Sequence, residues 1–354
     1  MRTPASATVT GIGMVTPAGP SAPASCAAIR AGLTRFAELG QITLPGDDGA
    51  HRPVVGSGVI GVTDGTRGLG RITRLAALAI RDLLENAALA GAGFYVAVAP
   101  AERPGVDPRL KGELGKRIER WCRIKGAAAR TQVFQGGHAA MIEALTAALG
   151  DLERGAVGAA VVGGVDSLVE PLTLRFLHAE GRLKTPDSPV GLVPGEGAAF
   201  LLLETPARAR TRGAKALASI EAPSTAVEPV TVASRDPCDG SGLSAAIRGT
   251  LSRLDDGGAE TGLLLTDLNG EPYRAEELGY AVVRSLSHVK SPFRLFHAAD
   301  CIGDAGAAAS AIAACAGARA LHQGYARTRG ALLCASSDGG LRGAAYLRAA
   351  DKGK

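Results

Sequence analysis

The sequence predicts an α/β protein whose parallel-leaning sheets are covered by helices on both faces. Three observations lead there. Apolar runs without alternation, such as Phe94–Pro100 and residues 156–162, read as strands buried on both sides. Stretches with helical apolar spacing lie between them. A unit of turn, helix, strand and Gly/Asp turn then occurs twice, with His138 and Asp304 at matching places 166 residues apart. Two copies of one unit imply pseudo-symmetric halves, residues 1–210 and 211–354, joined near 205–218.

Taken in order, residues 7–16 mix β-branched residues with Gly and stop at Pro17, a strand running into a loop. Residues 24–32 and 71–90 carry helical spacing. After the strand Phe94–Pro100 comes a basic, loop-rich excursion from 101 to about 130. Its densest part, residues 116–125, has two readings: a patch for an acidic partner, or a solvated helix face. Thr131–Gln135 is a strand, Gly136-Gly137 a turn, and 138–153 a helix with Met141, Ile142, Leu145 and Leu149 on one face. Gly155 ends that helix, and a buried strand then runs into a Gly163-Gly164 turn. In the second half Gly303–Gly306 opens an Ala-rich helix over 307–321. Ala331–Ala335 is a strand, and Ser336–Gly340 a Gly-rich turn.

Composition narrows the function classes. A hydrophobic fraction of 46% supplies a core, while 4% aromatics leave few surfaces on which bases could stack, so no nucleic-acid partner is expected. The formal charge of +5 is scattered rather than striped; it suits an acyl carrier protein or an acyl thioester without specifying either. Six cysteines with no CxxC pair suit reduced thiols in the cytoplasm, with neither a disulfide framework nor a metal site. The N-terminus lacks an apolar signal core, and Ala305–Leu321 reads as a buried helix rather than a membrane span. Gly11-Ile12-Gly13 follows a strand, but Thr16 stands where a dinucleotide fingerprint needs its third glycine, so no cofactor is expected.

Longer motifs carry more. Thr10–Pro17, residues 155–167, Pro194–Ala199 followed by Leu201–Glu204, and Ile302–Ala308 together resemble β-ketoacyl synthases, in the right order over nearly the whole chain. The resemblance implies a thiolase-like, five-layered αβαβα fold of two pseudo-symmetric halves, each with a mixed, mostly parallel sheet. It also implies a dimer through Thr131–Gln135, with a second copy or with a ketosynthase-like subunit. The chemistry usual in that family joins an acyl thioester to a malonyl thioester. A cysteine activated at a helix N-terminus attacks, and two histidines promote decarboxylation and stabilise the oxyanion.

Placed on those motifs, the catalytic positions hold other residues. His138 stands for the nucleophile, Asp267 for the first histidine, Gly303 for the second, Ala298 for the lysine, and Ser337–Gly340 for the Gly-Phe-Gly gate. The chain therefore resembles chain-length factors and thiolase-like accessory proteins: a partner, scaffold or acyl/carrier-protein binder rather than a condensing enzyme. The alternative is an acyltransferase, thioesterase or malonyl decarboxylase using His138 or Cys301 with Asp267 or Asp304. A ring at a helix N-terminus should stay neutral. His138 is then either a base paired with Asp304 or Asp267, or a filler of the old cysteine pocket with Asp304 capping its own helix. Cys301 is either a relocated nucleophile or inert packing. Gln135, Asn269, Glu271, Gly303, Asp338 and Gly339 are the expected pocket, and the polar run Asn269–Arg274 either lines it or closes a turn. An open, polar pocket around His138 favours the enzyme or acyl binder, and a filled one the scaffold.

Overall fold

Alternating strand and helix signals resolve into two similar runs of elements. The computed structural model describes residues 6–85, 89, 91–234, 236–287, 289 and 293–350. The first run is β1 (Ser6–Val15), α1 (Ala22–Arg30), a hairpin of β2 (Ala37–Pro45) and β3 (His51–Gly56), α2 (Gly68–Leu84), β4 (Gly93–Val98), α3 (Leu110–Cys122), β5 (Thr131–Gln135), α4 (Ala140–Glu153), β6 (Ala159–Ser167), α5 (Pro171–Ala179) and β7 (Glu196–Glu204). A short helix, α6 (Pro206–Thr211), leads to the second. That run is β8 (Ala218–Val227), α7 (Ser241–Leu251), β9 (Thr261–Leu265), α8 (Pro272–Ser285), β10 (Arg294–Phe296), α9 (Ala299–Ile302), α10 (Ala309–Gln323), β11 (Gly330–Ser336) and β12 (Leu341–Ala349).

Each half orders its strands alike. β5, β4 and β6 run parallel, and β7 and β1 continue antiparallel; β10, β9 and β11 run parallel, and β12 and β8 continue antiparallel. Ser6–Val9 of β1 pair with Ala218–Glu221 of β8, so the two sets form one ten-stranded sheet. In each half four of the five strands run the same way and one, β7 or β12, opposes them, so the sheet is mixed and mostly parallel as expected. The buried patterning does not single out β7 as the opposed strand, because it is as fully buried as β6 and lacks the alternation that usually marks an antiparallel strand.

The burial has a simple cause. α4 and α10 lie between the two halves and touch strands of both, while α2 and α3 cover the outer face of one half and α7 and α8 that of the other. This is the five-layered αβαβα stack. Small residues allow the close approach. Gly163 and Gly164 lie inside β6, not in a turn: a Cβ on Gly163 would sit 2.0 Å from the Ala199 carbonyl oxygen, and one on Gly164 2.1 Å from that of Ala307.

Two other local expectations change. The stretch read as loop-rich contains α3, whose Leu110, Leu114, Ile118 and Cys122 bury one stripe at four-residue spacing. Intervening charge hid that stripe, and Lys111, Lys116, Arg120 and Arg123 are exposed beside it. The polar run around residue 270 passes into α8 at Pro272, whose fixed φ and missing N–H suit a first helical position. The six cysteines are all free and buried, and among the described residues no helix is long and apolar enough to cross a membrane.

Candidate functional site

The pseudo-symmetry brings the starts of the two central helices together. Gly137, at φ +75°, opens a 3-10 turn over Gly137–Ala139 that delivers His138 to the head of α4. A matching turn over Gly306–Ala308 precedes α10, with Asp304 just before it. His138 Nε2 and Asp304 Oδ1 are 2.8 Å apart, both residues being buried. The turns are also locked through main chain: the Ser337 hydroxyl accepts from Ala139 N at 2.9 Å, and Ser310 donates to the His138 carbonyl.

Asp304 does two jobs. Its Oδ1 accepts from Gly306 N at 2.7 Å, closing the turn ahead of α10, and also faces the imidazole. Its Oδ2 accepts from Asn269 Nδ2 at 2.7 Å. Asn269 reaches Glu271 Oε2 at 2.8 Å with the same amide nitrogen and accepts from Glu271 N at 3.1 Å, so the polar run both turns the chain and enters the cluster.

Two guanidinium groups gather the carboxylates. Arg274, 4% exposed, donates to Asp267 at 2.9 Å, to Asp338 at 3.1 Å and to the Ser336 carbonyl. Arg182 forms a fork on Glu271 at 2.6 and 2.9 Å and a second on Asp338 at 2.7 and 3.2 Å. Such bidentate, charge-assisted contacts are geometrically demanding and specify one arrangement. Arg182 sits in the turn after α5, far in sequence from its partners, and no local motif marked it.

The ring's neighbours oppose one another. Burial disfavours the imidazolium, but the charge and hydrogen bond of Asp304 outweigh both burial and the nearby Arg274, raising the His138 pKa above its ordinary value. A helix start alone biases the ring toward neutrality; Asp304 reverses that bias. Arg274 also donates to His138 Nδ1 at 3.3 Å, which requires that nitrogen to be bare. The neutral ring therefore carries its hydrogen on Nε2, toward Asp304, and protonation would cost the Arg274 contact. Asp304, although buried, is held well below the usual carboxylate range by His138, Arg274 and Asn269. Arg274 and Arg182 lower Asp338 likewise against burial.

A small cavity borders one side of the cluster. It touches Asp267, Gly303 and Asp304 and offers about 10 Å³, about the least that holds one water. Gly303 (φ +70°) lets the chain pass there, since a Cβ would lie 2.6 Å from the Val193 carbonyl oxygen. The remaining expected residues do not join the network among the described residues. Gln135 ends β5 opposite Val98, half-buried, and Gly339 is exposed on the β11–β12 turn. Cys301 is turned away: its Sγ lies 3.7 Å from the Ile29 carbonyl oxygen, in the wall of a separate cavity with Cys26 and Tyr325, and burial raises its pKa.

Comparison with known proteins places the architecture. Residues 126–209, from just before β5 to α6, match the sequence model of the β-ketoacyl synthase N-terminal domain. No curated protein matches the sequence as a relative. One similar solved structure is that of a type II polyketide synthase acyl-carrier protein in complex with its ketosynthase bound to the hexaketide: 16% identity, 98% of this chain and 100% of that chain covered, TM-score 0.81. The ishigamide ketosynthase/chain length factor matches at 19% identity over 98% and 99% of the two chains, with a TM-score of 0.78. A ketosynthase domain for oxazolomycin from Streptomyces albus JA3453 matches at 17% over 98% and 75%, also with 0.78. The fold is thiolase-like. Within that fold class the similar structures are ketosynthases, and residues 126–209 of this chain match the β-ketoacyl synthase N-terminal sequence pattern.

Proposed function

We propose that this protein is a non-condensing, ketosynthase-like subunit that acts through association, as a partner or scaffold, rather than through turnover. The observation carrying the proposal is the filled site. Where the family resemblance puts a thiol and two histidines, His138, Asp304, Asn269, Glu271, Arg274, Arg182, Asp267 and Asp338 satisfy one another, with about 10 Å³ beside them. Admitting an acyl thioester would mean breaking buried ion pairs, at a cost of about 3–5 kcal/mol for each one broken. The partner reading is supported by β5, which among the described residues pairs only with β4 and ends the sheet with an open edge. In this proposal Thr131–Gln135 pairs across a two-fold axis with a ketosynthase-like subunit or a second copy, covering that edge. An acyl carrier protein is the second candidate partner, consistent with the net positive charge.

A second reading rests on the 2.8 Å His138–Asp304 contact, which could serve a general base in acyl transfer, thioester hydrolysis or malonyl decarboxylation. One experiment separates the two. The protein is incubated with acyl- and malonyl-thioesters of several chain lengths while free thiol is followed and intact mass is measured, beside His138→Ala and Cys301→Ala. The scaffold reading expects no adduct and no thiol release. Release or an adduct that vanishes in His138→Ala establishes the dyad, and loss in Cys301→Ala establishes the thiol. Light scattering of the protein alone and mixed with a ketosynthase then tests association; a strict monomer in both samples removes the partner reading.

A further inference from the structure

A second buried polar cluster lies outside this network, where the chain leaves β8 and packs against α8. Glu228, just after β8, Cys238, in the segment before α7, and Glu277, on α8, each offer a ligand atom, and the three atoms lie within 4.8 Å of one another. All three residues are buried: Glu228 and Glu277 are 1% exposed and Cys238 6%.

The hydrogen bonds account for part of this cluster and leave one atom over. Glu228 Oε2 accepts from Gly242 N at 2.8 Å, at the start of α7, while Oε1 has only long contacts at 3.4 Å with Ser241 Oγ and Val230 N. Glu277 Oε1 accepts from Arg342 Nε at 2.5 Å. Among the described residues Glu277 Oε2 is fully buried and has no hydrogen-bond partner of normal geometry, although the nearby Ser336 side chain also acts on this carboxyl. A buried carboxylate oxygen left unpaired is costly and rarely kept without a ligand. Charge tells the same story. Of the two carboxylates only Glu277 pairs with a guanidinium, that of the buried Arg342, whose other donors go to the Tyr273 hydroxyl and to the Ser337 and Leu341 carbonyls, with Arg274 acting at longer range.

We propose that Glu228, Cys238 and Glu277 form a site for a divalent transition-metal ion of the zinc class. One sulfur and two carboxylate oxygens are a donor set that zinc accepts and that calcium or magnesium, which take oxygen alone, does not favour. Binding replaces the Cys238 S–H bond by a metal–sulfur bond and releases that proton to solvent. With the thiolate formed, two carboxylates and one thiolate balance the ion and the Arg342 guanidinium. A water or further oxygen completes four-coordination. The cysteine spacing gave no hint of such a site, because only one ligand is a cysteine and the two glutamates lie 10 residues before and 39 after it.

The ion would tie the end of β8 to α8, the helix that also carries Arg274. The test uses the full-length protein, stripped with a chelator and titrated with Zn²⁺ and separately with Co²⁺. The expected result is one equivalent bound, about one proton released per ion, a thiolate-to-cobalt absorption band in the near ultraviolet, and a rise in Tm. Cys238→Ala should abolish the band and weaken binding by about tenfold or more, as should Glu277→Gln if it folds. Absence of stoichiometric binding by the wild-type protein overturns the proposal, leaving a shared proton between the glutamates to relieve the buried charge. So does a band that survives in Cys238→Ala, because one of the other five cysteines would then hold the ion.

Discussion

Replacing Arg274 with methionine tests what holds the cluster around His138 together. The side chain is almost fully buried and is the one group that touches Asp267, Asp338, the Ser336 carbonyl and His138 at once. Methionine keeps much of the stem and removes the charge. Asp267 then retains only the Ser336 amide at 2.8 Å, and Arg182 alone must serve Glu271 and Asp338. Breaking one buried pair this way costs about 3–5 kcal/mol, because an uncompensated carboxylate stays behind. At about 2.1 cal/mol/K of unfolding entropy per residue, that corresponds to a fall in Tm of about 4–7 °C. Urea unfolding followed by circular dichroism measures it directly. The double variant Arg274→Met with Asp267→Asn removes the stranded charge as well, and should recover about 1–3 kcal/mol of the loss. A single-variant cost below about 1 kcal/mol, or a double variant equal to the sum of its parts, would show that these charges do not act as one unit.

Other outcomes follow from the same contacts. Because the His138 pKa is raised in the fold, its ionic contribution is complete below its unfolded pKa and fades as pH rises through the folded one. His138→Gln should therefore cost more stability at pH 6 than at pH 9, as read from urea midpoints, and equal costs would refute the Asp304 pairing. Asp304 and Asp338 have lowered values, so their contribution is present above the ordinary carboxylate range and is lost as pH falls below it. Asp304→Asn should accordingly flatten the acid limb of the stability curve, and an unchanged limb would count against it. Gly163→Ala forces a methyl to 2.0 Å from a carbonyl oxygen and should prevent soluble folding, whereas alanine at the exposed Gly112, where a Cβ meets nothing within 4 Å, should express normally. Burial raises Cys26 and Cys122 to about 11, so the native thiols should react with a disulfide reagent at pH 8 only after unfolding. A single fast thiol would revive the nucleophile reading of Cys301.

The layered α/β fold and the cluster around His138 were unequally legible. Repeated turn–helix–strand grammar, the long apolar runs and the motif order reach the five layers, because burial on both faces writes itself into consecutive residues. Antiparallel pairing of β7 with β1 was not legible, since full burial erases alternation. In the cluster, Asp304 facing His138 followed from the internal repeat, which puts both residues at equivalent helix starts. Arg182 did not, because its partners Glu271 and Asp338 are 89 and 156 residues away and ion pairs leave no periodic trace. α3 was missed for a related reason: its buried stripe of four residues is diluted by the charges of its solvated face.

The position of β1 bears on how the chain is made. Its strand partners are β7 and β8, which begin at Glu196 and Ala218, so this strand finds its sheet neighbours only in segments synthesised much later. At about 5–20 residues per second, roughly 190 residues take some 10–40 s to follow it. Throughout that interval an apolar strand waits unmatched, open to mispairing with another nascent chain. Expression at lower temperature or with added chaperone should therefore raise the soluble yield more than any change to the exposed surface.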